Sequence, residues 1–348
     1  TVTPTWRNVA TYAKIVAEKS RLRSIALAAG EISAKIAEGV ADADEMLEFA
    51  ERKIYALRSG RSTGGLTPIG DVILGFYDQL KVLAESGGTL SGVPTGMSSL
   101  DTVLSGLNRS DLILLASRPG VGKTSLALNI LVAAARHDRD KVAAFFSLEM
   151  SKEQIAARIL SSQAFVDSHK LRTGRLTADD WRRMGGTASE LSKTGIRIDD
   201  NSMISVAEIR AQCRRIDNLG IVVIDYLQLM NSKGSENRLQ AVSEMSRTLK
   251  LMAMELKVPV LCLCQLSRAS VQRENKRPVL SDLRESGSLE QDADIVLGIY
   301  REDAFKQDAA EHNSAELIVL KNRHGETTTV PLQWQPQYTT YTERDDRY

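Results

Sequence analysis

The chain has 348 residues, 43% hydrophobic and 26% charged, a composition that fits an ordinary soluble protein and a length that predicts one large α/β domain with a smaller appendage. Its 45 basic and 44 acidic side chains leave a net charge of +1, which excludes a global positive field, so any nucleic-acid binding must come from local loops. No apolar stretch approaches the roughly 18 residues of a membrane span and no secretory pattern opens the chain, so we expect a cytoplasmic protein without a membrane partner.

A helical hairpin is predicted at the start of the chain. Apolar residues recur at helical spacing from Val9 to about Leu57, and the stretch from Gly39 to Asp44 interrupts them. Because so short a piece buries little core, we interpret residues 1–58 as the remainder of a larger amino-terminal domain. Residues 59–67 are rich in glycine and hydroxyl side chains, which predicts a domain boundary within a linker over residues 59–92.

One amphipathic helix is predicted inside this linker, over residues 68–85. Thr67 and Pro68 are typical of an N-cap and a first helical residue, and Gly87 ends the pattern. The apolar residues of one face are Ile69, Val72, Ile73, Phe76, Leu80 and Leu83. This face either packs on its own domain or docks on a neighbouring subunit, and the pattern is compatible with both.

From Val93 onward, apolar stretches alternate with helical patterns in the way typical of a mainly parallel sheet covered by helices. The apolar stretches are 112–116, 126–135, 142–148, 221–224, 258–264, 295–300 and 317–320. We therefore predict a single α/β domain over residues 93–348. Within it, Cys262 and Cys264 lack the Cys-x-x-Cys spacing of metal and redox sites, which predicts small core residues in a reducing compartment.

The strongest signal is a phosphate-binding loop between the run 112–116 and a helix predicted to begin near Ser125. Its candidate nucleotide-binding residues are Ser117, Arg118, Pro119, Gly120, Val121, Gly122, Lys123, Thr124 and Ser125. Glycines let backbone amides close around phosphate oxygens, Lys123 would neutralise the β- and γ-phosphates of ATP, and Thr124 would bind Mg²⁺. The strict pattern has glycine where Ser117 stands, but serine is also small. The flanking strand and helix argue against a chance Gly-Lys-Thr turn.

Two carboxylates follow predicted strands. Asp225 ends the run 221–224, as in sites that hold Mg²⁺ directly or through its water. Glu149 follows the run 142–148, where a carboxylate can orient and deprotonate the water that attacks the γ-phosphate. Each residue has a structural alternative, a turn aspartate or a helix-cap neighbour, although Ser151 and Gln154 already provide a capping box. We interpret Asp225 as a metal ligand and Glu149 as a catalytic base.

Other polar residues give weaker signals. Gln265 ends the run 258–264, from which its amide can contact a γ-phosphate on one side and a moving loop on the other. Lys321 and Arg323 lie in a basic turn that either reaches a phosphate across a subunit boundary or is an ordinary charged hairpin turn. The segment 281–288 is polar and without aromatic residues, so as a loop it would contact nucleic-acid phosphates rather than stack on bases.

Taken together, several stretches resemble the DnaB-type replicative helicases. They are residues 117–124, 146–150, 224–230, 265–268 and 277–294, the last being long and highly specific. The resemblance runs from about residue 5 to the end of the chain and is tightest over 93–323. It implies that residues 1–58 belong to the family's helical amino-terminal domain, without the globular start of that domain.

The resemblance also implies roles for single residues. Lys123 and Thr124 would bind phosphate and Mg²⁺, Asp225 would serve Mg²⁺, and Glu149 would be the base. Gln265 would couple nucleotide binding to the DNA strand. Lys321 and Arg323 would form a basic finger, which reaches the ATP bound by the neighbouring subunit. Arg284, Glu285 and Gly287 match the family's strand-binding loop.

The implied assembly is a ring of six RecA-like motor domains with ATP between subunits and the helix at 68–85 docked on the adjacent subunit. The implied activity is ATP-dependent unwinding at the replication fork, with 5′–3′ movement along single-stranded DNA and a helicase loader and primase as partners.

Two other classes of protein share the same phosphate loop and sheet. One is a recombinase or regulatory ATPase that does not unwind DNA, against which the 281–294 segment and the lack of a zinc module argue. The other is an assembly scaffold with little turnover.

Overall fold

Helices make up most of the described part of the first compact unit, residues 1–85. The computed structural model describes residues 9–37, 42–58, 66–85, 92–225, 238–267, 273, 275–304 and 312–344. Helices α1 (Val9–Ala37) and α2 (Ala43–Arg58) contact each other, which confirms the predicted hairpin. Lys53 of α2 pairs with Glu31 of α1, and the Lys35 ammonium lies 4.3 Å from the centre of the Phe49 ring.

Helix α3 (Ile69–Glu85) confirms the helix predicted in the linker, although it begins one residue later than expected. The carbonyl of Pro68 accepts hydrogen bonds from the amides of Asp71 and Val72, so Pro68 closes the first turn as the N-cap residue instead of being the first helical residue. Exposed apolar side chains follow one another along this helix: Ile69, Val72, Ile73, Leu74, Phe76, Tyr77 and Leu80. Most of the glycine-rich stretch predicted as linker, residues 59–65, lies outside the described residues.

A nine-stranded sheet forms the centre of the second unit, residues 86–348. Its strands are β1 (Leu112–Ser117), β2 (Val142–Ser147), β3 (Gly195–Asp199), β4 (Leu219–Asp225), β5 (Val260–Gln265), β6 (Ile295–Tyr300), β7 (Ser314–Asn322), β8 (Thr329–Gln335) and β9 (Thr340–Glu343). The order is β3-β2-β4-β5-β1-β6-β7-β8-β9, parallel from β3 to β6 and antiparallel from β6 to β9. The mainly parallel sheet is therefore confirmed.

Helices cover this sheet. They are α4 (Ser98–Leu104), α5 (Lys123–His137), α6 (Lys152–Ala164), α7 (Ser168–Thr173), α8 (Ala178–Leu191), α9 (Val206–Arg214) and α10 (Arg238–Leu256), followed by a 3-10 helix (Leu280–Ser286) and α11 (Gly287–Asp292). Apolar side chains bury on both faces of the central strands, which explains their unbroken apolar runs. Cys213, Cys262 and Cys264 are free and buried, as expected for core residues. Within the described ranges, no helix is long and apolar enough to span a membrane.

The segment predicted as a polar loop, residues 281–288, is helical instead. The 3-10 helix covers Leu280–Ser286, and α11 begins directly at Gly287. The loop prediction was wrong because Leu283 and Leu289 are buried and anchor these turns, while the Asp282 carboxylate accepts a hydrogen bond from the Val279 amide at 2.9 Å. The backbone of Arg284, Glu285 and Gly287 therefore lies at the junction of two helices, and the side chains of residues 284–287 lie outside the description.

Candidate nucleotide-binding and catalytic site

The carboxyl ends of four parallel strands bring most of the predicted site residues to one edge of the sheet. The register pairs Ser117 of β1 with Gln265 of β5, and Ser147 of β2 with Asp225 of β4. Because β5 also pairs with β4, the phosphate loop, Asp225 and Gln265 follow neighbouring strands, and Glu149 follows the next one. This is the edge at which open α/β sheets bind ligands.

The phosphate loop combines two glycines in left-handed conformation with the start of helix α5. Gly120 has a φ of 75° and Gly122 a φ of 108°, which other residues adopt only with strain. Helix α5 begins at Lys123, two residues earlier than predicted, and its N-cap residue is Gly122. Since glycine has no side chain to accept hydrogen bonds from the first amides of the helix, these amides and the helix dipole suit an anion.

Lys123, Thr124 and Asp225 form the centre of the site. The Asp225 carboxylate is 1% exposed, and its Oδ1 accepts a hydrogen bond from Lys123 Nζ at 2.9 Å. Its Oδ2 accepts one from the Thr124 hydroxyl at 2.6 Å. A carboxylate so deeply buried is stable only with such partners. The structure thus brings the predicted phosphate-binding lysine and both predicted metal ligands into direct contact.

The oxygen pair of Thr124 and Asp225 fits a magnesium ion. Mg²⁺ prefers hard oxygen ligands, keeps several waters, and is usually bound by one or two protein oxygens together with substrate phosphates. Thr124 Oγ1 and Asp225 Oδ2 lie 2.6 Å apart at the first turn of the phosphate-loop helix, close enough for one ion to contact both. The donor set therefore matches the ion that the sequence predicts.

Glu149 lies exposed on the turn between β2 and α6. Ser147 Oγ donates to the Met150 carbonyl at 2.6 Å and accepts from the Met150 amide at 3.1 Å, which fixes the turn around Glu149. On its other side, Ser151 and Gln154 form the predicted capping box of α6. The helix end is therefore capped by other residues, and the Leu148 amide ties the turn to the Asp225 carbonyl at 2.7 Å.

Leu266 and Arg118 link the phosphate loop to the end of β5, where Gln265 lies. Gln265 is the exposed residue at the end of an otherwise buried strand. The next residue, Leu266, donates its amide to the Ser117 carbonyl at 3.0 Å, and Arg118 Nη1 donates to the Ser267 carbonyl at 3.2 Å. A movement of the phosphate loop would therefore displace the chain where it leaves β5 toward the 3-10 helix.

Lys321 and Arg323 are not brought to this site. Strand β7 is antiparallel to β6, and Asn322 pairs with Ile295 at the start of β6, so the basic turn lies at the amino edge of the parallel strands. Lys321 Nζ donates to the carbonyls of Glu290 and Ala293, both at 2.7 Å, at the carboxyl end of α11. Burial, together with the neighbouring Arg323 charge, lowers the pKa of Lys321. The phosphate loop of the same chain is at the opposite edge.

Sequence reasoning missed a set of residues behind the phosphate loop. Tyr341 donates its hydroxyl to the Val121 carbonyl, and Arg301 Nη1 approaches the same oxygen at 3.4 Å. The Trp334 ring lies against both residues, with its centroid 4.7 Å from that of Tyr341 and 4.9 Å from the Arg301 guanidinium carbon. No local motif marks these residues, because they come from β8, β9 and the end of β6 and meet only in the fold.

Comparisons with known proteins match most of this chain. Residues 92–343 match the family described as DnaB-like helicase C terminal domain. The chain is 44% identical over 350 residues to the replicative DNA helicase DnaB of Geobacillus stearothermophilus, covering 99% of this chain and 77% of that protein. Among solved structures, the chain is similar to an ATPase domain, with 35% sequence identity and a TM-score of 0.76. This match covers 81% of this chain and all of that one. A DnaB-like replicative helicase, solved in a study of its interactions with primase, is 30% identical with a TM-score of 0.79, covering 99% of this chain and 81% of that one.

Proposed function

The chain belongs to the DnaB-like replicative helicases, and we propose a residue-level account of how it hydrolyses ATP and unwinds DNA. The family match covers nearly all of the second unit, which carries the site. The observation that supports the mechanism most directly is the contact of Lys123 and Thr124 with the buried Asp225 carboxylate at the ligand-binding edge of the sheet. Nucleotide binding by the phosphate loop is the starting point of each cycle.

ATP phosphates would bind against the amides at the start of α5. The Lys123 ammonium can exchange its contact with Asp225 for the β- and γ-phosphate oxygens, because both are anionic partners at the same helix end. Asp225 and Thr124 would hold Mg²⁺, which supplies positive charge opposite the phosphates when it is bound. The buried Asp225 thus has a cationic partner in either arrangement.

Hydrolysis would use the exposed carboxylate of Glu149. It orients a water molecule in line with the γ-phosphate and accepts a proton from it, while the new oxygen–phosphorus bond forms and the bond to ADP breaks. Gln265, at the end of β5, would contact the γ-phosphate. Loss of that phosphate would then be transmitted through the Ser117–Leu266 contact to the chain that leads into the 3-10 helix.

A second copy of the chain completes the site in this proposal. Lys321 and Arg323 lie at the sheet edge opposite their own phosphate loop, so they can serve as a finger only for the nucleotide of a neighbouring subunit. The exposed apolar side chains of α3 offer that neighbour a docking surface. Six subunits in a ring, with ATP at each interface, satisfy both requirements in a closed assembly.

Single-stranded DNA would bind along the 3-10 helix and the start of α11, where Arg284, Glu285 and Gly287 lie. Arg284 would pair with phosphates of the strand, and movement along it would run 5′ to 3′. Primase and a helicase loader are the proposed partners, and the similar helicase studied with primase supports the first of them. A role in DNA replication would place the protein in the cytoplasm.

Unwinding of a labelled fork tests this function. We expect strand separation with ATP on a fork that carries a 5′ single-stranded tail, and none on a duplex with only a 3′ tail. The Lys123→Ala chain is the control, since it lacks the phosphate-binding ammonium. Strand exchange or annealing without separation would favour a recombinase instead, and electron microscopy with single-stranded DNA and a non-hydrolysable ATP analogue would distinguish a ring from a filament.

A further inference from the structure

We infer that Tyr341, assisted by Arg301, is a positioning residue for ATP binding, because it fixes the peptide unit between Val121 and Gly122 in the phosphate loop. This inference rests on the nucleotide-binding role proposed above and adds residues that no motif of the loop contains. It concerns the side of the loop that faces the protein core.

Both side chains donate to one carbonyl oxygen. The Tyr341 hydroxyl donates to Val121 O, and Arg301 Nη1 lies 3.4 Å from the same atom. Tyr341 is 3% exposed and Arg301 8%, so these donors approach from the core. Loop carbonyls are usually free to turn toward water, whereas this carbonyl is directed inward by two buried donors.

The direction of the carbonyl determines the direction of the following amide. In a trans peptide unit, the C=O and N–H bonds lie in one plane and point in opposite directions. With the Val121 carbonyl held toward Tyr341, the Gly122 N–H is directed to the opposite face of the loop, where phosphate oxygens would bind. The hydroxyl of Tyr341 thereby sets the orientation of an amide that it does not touch.

Packing also supports this segment of the loop from the core side. A Cβ atom built on Gly122 would lie 3.1 Å from Tyr341 Cε2 and 3.2 Å from Trp334 Cζ3, so the backbone rests directly on the two rings. Strand β9 is tied to the phosphate-loop helix as well, because Asn129 donates to Thr340 Oγ1 at 2.8 Å and accepts from the Tyr341 amide at 3.2 Å. The backbone of Tyr341 is thus held by α5, while its ring lies against Gly122 and Trp334.

Arg301 is held in place by its own partners. It pairs with Asp303 through two contacts of 2.8 and 3.1 Å, and Asp303 also accepts a hydrogen bond from the Asn313 amide at 3.2 Å. The same guanidinium lies over the Trp334 ring. Burial raises the pKa of Tyr341, which keeps its hydroxyl protonated as the donor that the geometry requires.

The substitution Tyr341→Phe tests the inference, because it removes the hydroxyl and keeps the ring that packs on Gly122. We expect the Kd for ATP and for ADP to rise by the same factor, about three- to tenfold, as for the loss of one hydrogen bond. The turnover number at saturating ATP should stay unchanged, since Glu149 and the finger residues are untouched. The thermal midpoint should be measured without nucleotide to separate stability from binding.

Tyr338→Phe is the matched control, since it removes a hydroxyl from the β8–β9 connection, three residues before Tyr341, and its ring lies 5.4 Å from the Phe165 ring instead of on the loop. A Tyr341→Phe chain that binds ATP and ADP normally, whatever its thermal midpoint, overturns the inference. If Tyr341→Phe does not fold, Arg301→Lys is tested instead. We then expect the Kd for ATP and for ADP to rise two- to threefold, which in free energy is about half the effect expected for Tyr341→Phe. Undiminished ATP binding by Lys123→Ala would instead refute the proposed nucleotide site itself.

Discussion

Arg323 and Asp294 are joined by two hydrogen bonds at the amino edge of the sheet. Arg323 Nη1 donates to Asp294 Oδ1 at 3.2 Å, and the Arg323 amide donates to the Asp294 carbonyl at 3.0 Å. Asp294 is 3% exposed, and its Oδ2 accepts from Lys250 Nζ at 2.6 Å and from the Leu112 amide at 2.8 Å. The turn that carries Arg323 is therefore fixed to the starts of β1 and β6. It lies at the amino edge of the parallel strands, opposite the edge that carries the phosphate loop.

This position predicts complementation between two inactive chains. Arg323→Ala should inactivate the neighbouring subunit's site, and Lys123→Ala should inactivate its own. In rings assembled from equal amounts of both, roughly one interface in four combines an intact phosphate loop with an intact finger, so ATPase activity should return. Activity of the mixture is measured after joint refolding or co-expression.

Arg109→Ala mixed with Lys123→Ala serves as the control, since Arg109 is an exposed arginine that precedes β1 at the same sheet edge. That mixture should show the simple dilution of an active chain by an inactive one. If the Arg323→Ala mixture remains as inactive as its two components, the finger does not act across the subunit boundary.

A double-mutant cycle measures the contact between Lys123 and Asp225 without nucleotide. Lys123→Ala leaves the buried carboxylate with one fewer donor and should lower the free energy of unfolding by about 1–3 kcal/mol. When Asp225→Asn is already present, Lys123→Ala should cost much less, because no charge is left unpaired. Urea denaturation of the four chains gives the coupling energy.

The surface pair Lys152 and Asp200, 3.8 Å apart, provides the comparison for that cycle. An ion pair in contact with solvent contributes little, so Lys152→Ala and Asp200→Asn should show coupling near zero. Equal coupling in the two cycles would mean that Asp225 is as well solvated as a surface carboxylate, contrary to its burial.

Glu149→Gln should separate ATP binding from hydrolysis. The amide keeps the size of the side chain but cannot accept a proton from water, so turnover should fall by about 10²–10⁴-fold while the Kd for ATP changes little. Glu153→Gln is the matched control, because Glu153 is an acidic residue in the first turn of α6, four positions along the chain. An assembly scaffold would instead keep its slow turnover in both variants.

The residues of the site that could be predicted from sequence are those that belong to local motifs at the ends of apolar strands. Lys123, Glu149, Asp225 and Gln265 each end or follow a mostly buried strand, and parallel pairing brings such strand ends to one edge. The order of the strands was not needed for this prediction. The roles of these four residues in binding and catalysis remain predictions.

Long-range contacts could not be predicted in the same way. Tyr341 meets Val121 from 220 positions along the chain, in a four-residue strand at the edge of the sheet whose residues do not alternate between buried and exposed. The distance of Arg323 from its own phosphate loop depends on the antiparallel direction of β7, which an apolar run does not reveal. The helices at 280–292 could not be recognised in the sequence, because the buried residues Leu283 and Leu289 are isolated among polar residues and give no clear helical periodicity.

Arg284→Ala should weaken DNA binding while sparing the ATPase activity measured without DNA. Removing one phosphate-binding arginine from each subunit should lower the affinity for single-stranded DNA and reduce the slope of log affinity against log salt by about one per arginine. Stimulation of ATPase by DNA should fall as well, because the 3-10 helix continues into α11, whose carboxyl end is held by Lys321 at the end of β7, two residues before Arg323. Arg182→Ala, an exposed arginine on α8 paired with Asp179 at 3.3 Å, is the control. An unchanged salt slope for Arg284→Ala would place the DNA strand elsewhere, since a backbone-binding arginine cannot be removed without releasing fewer counterions.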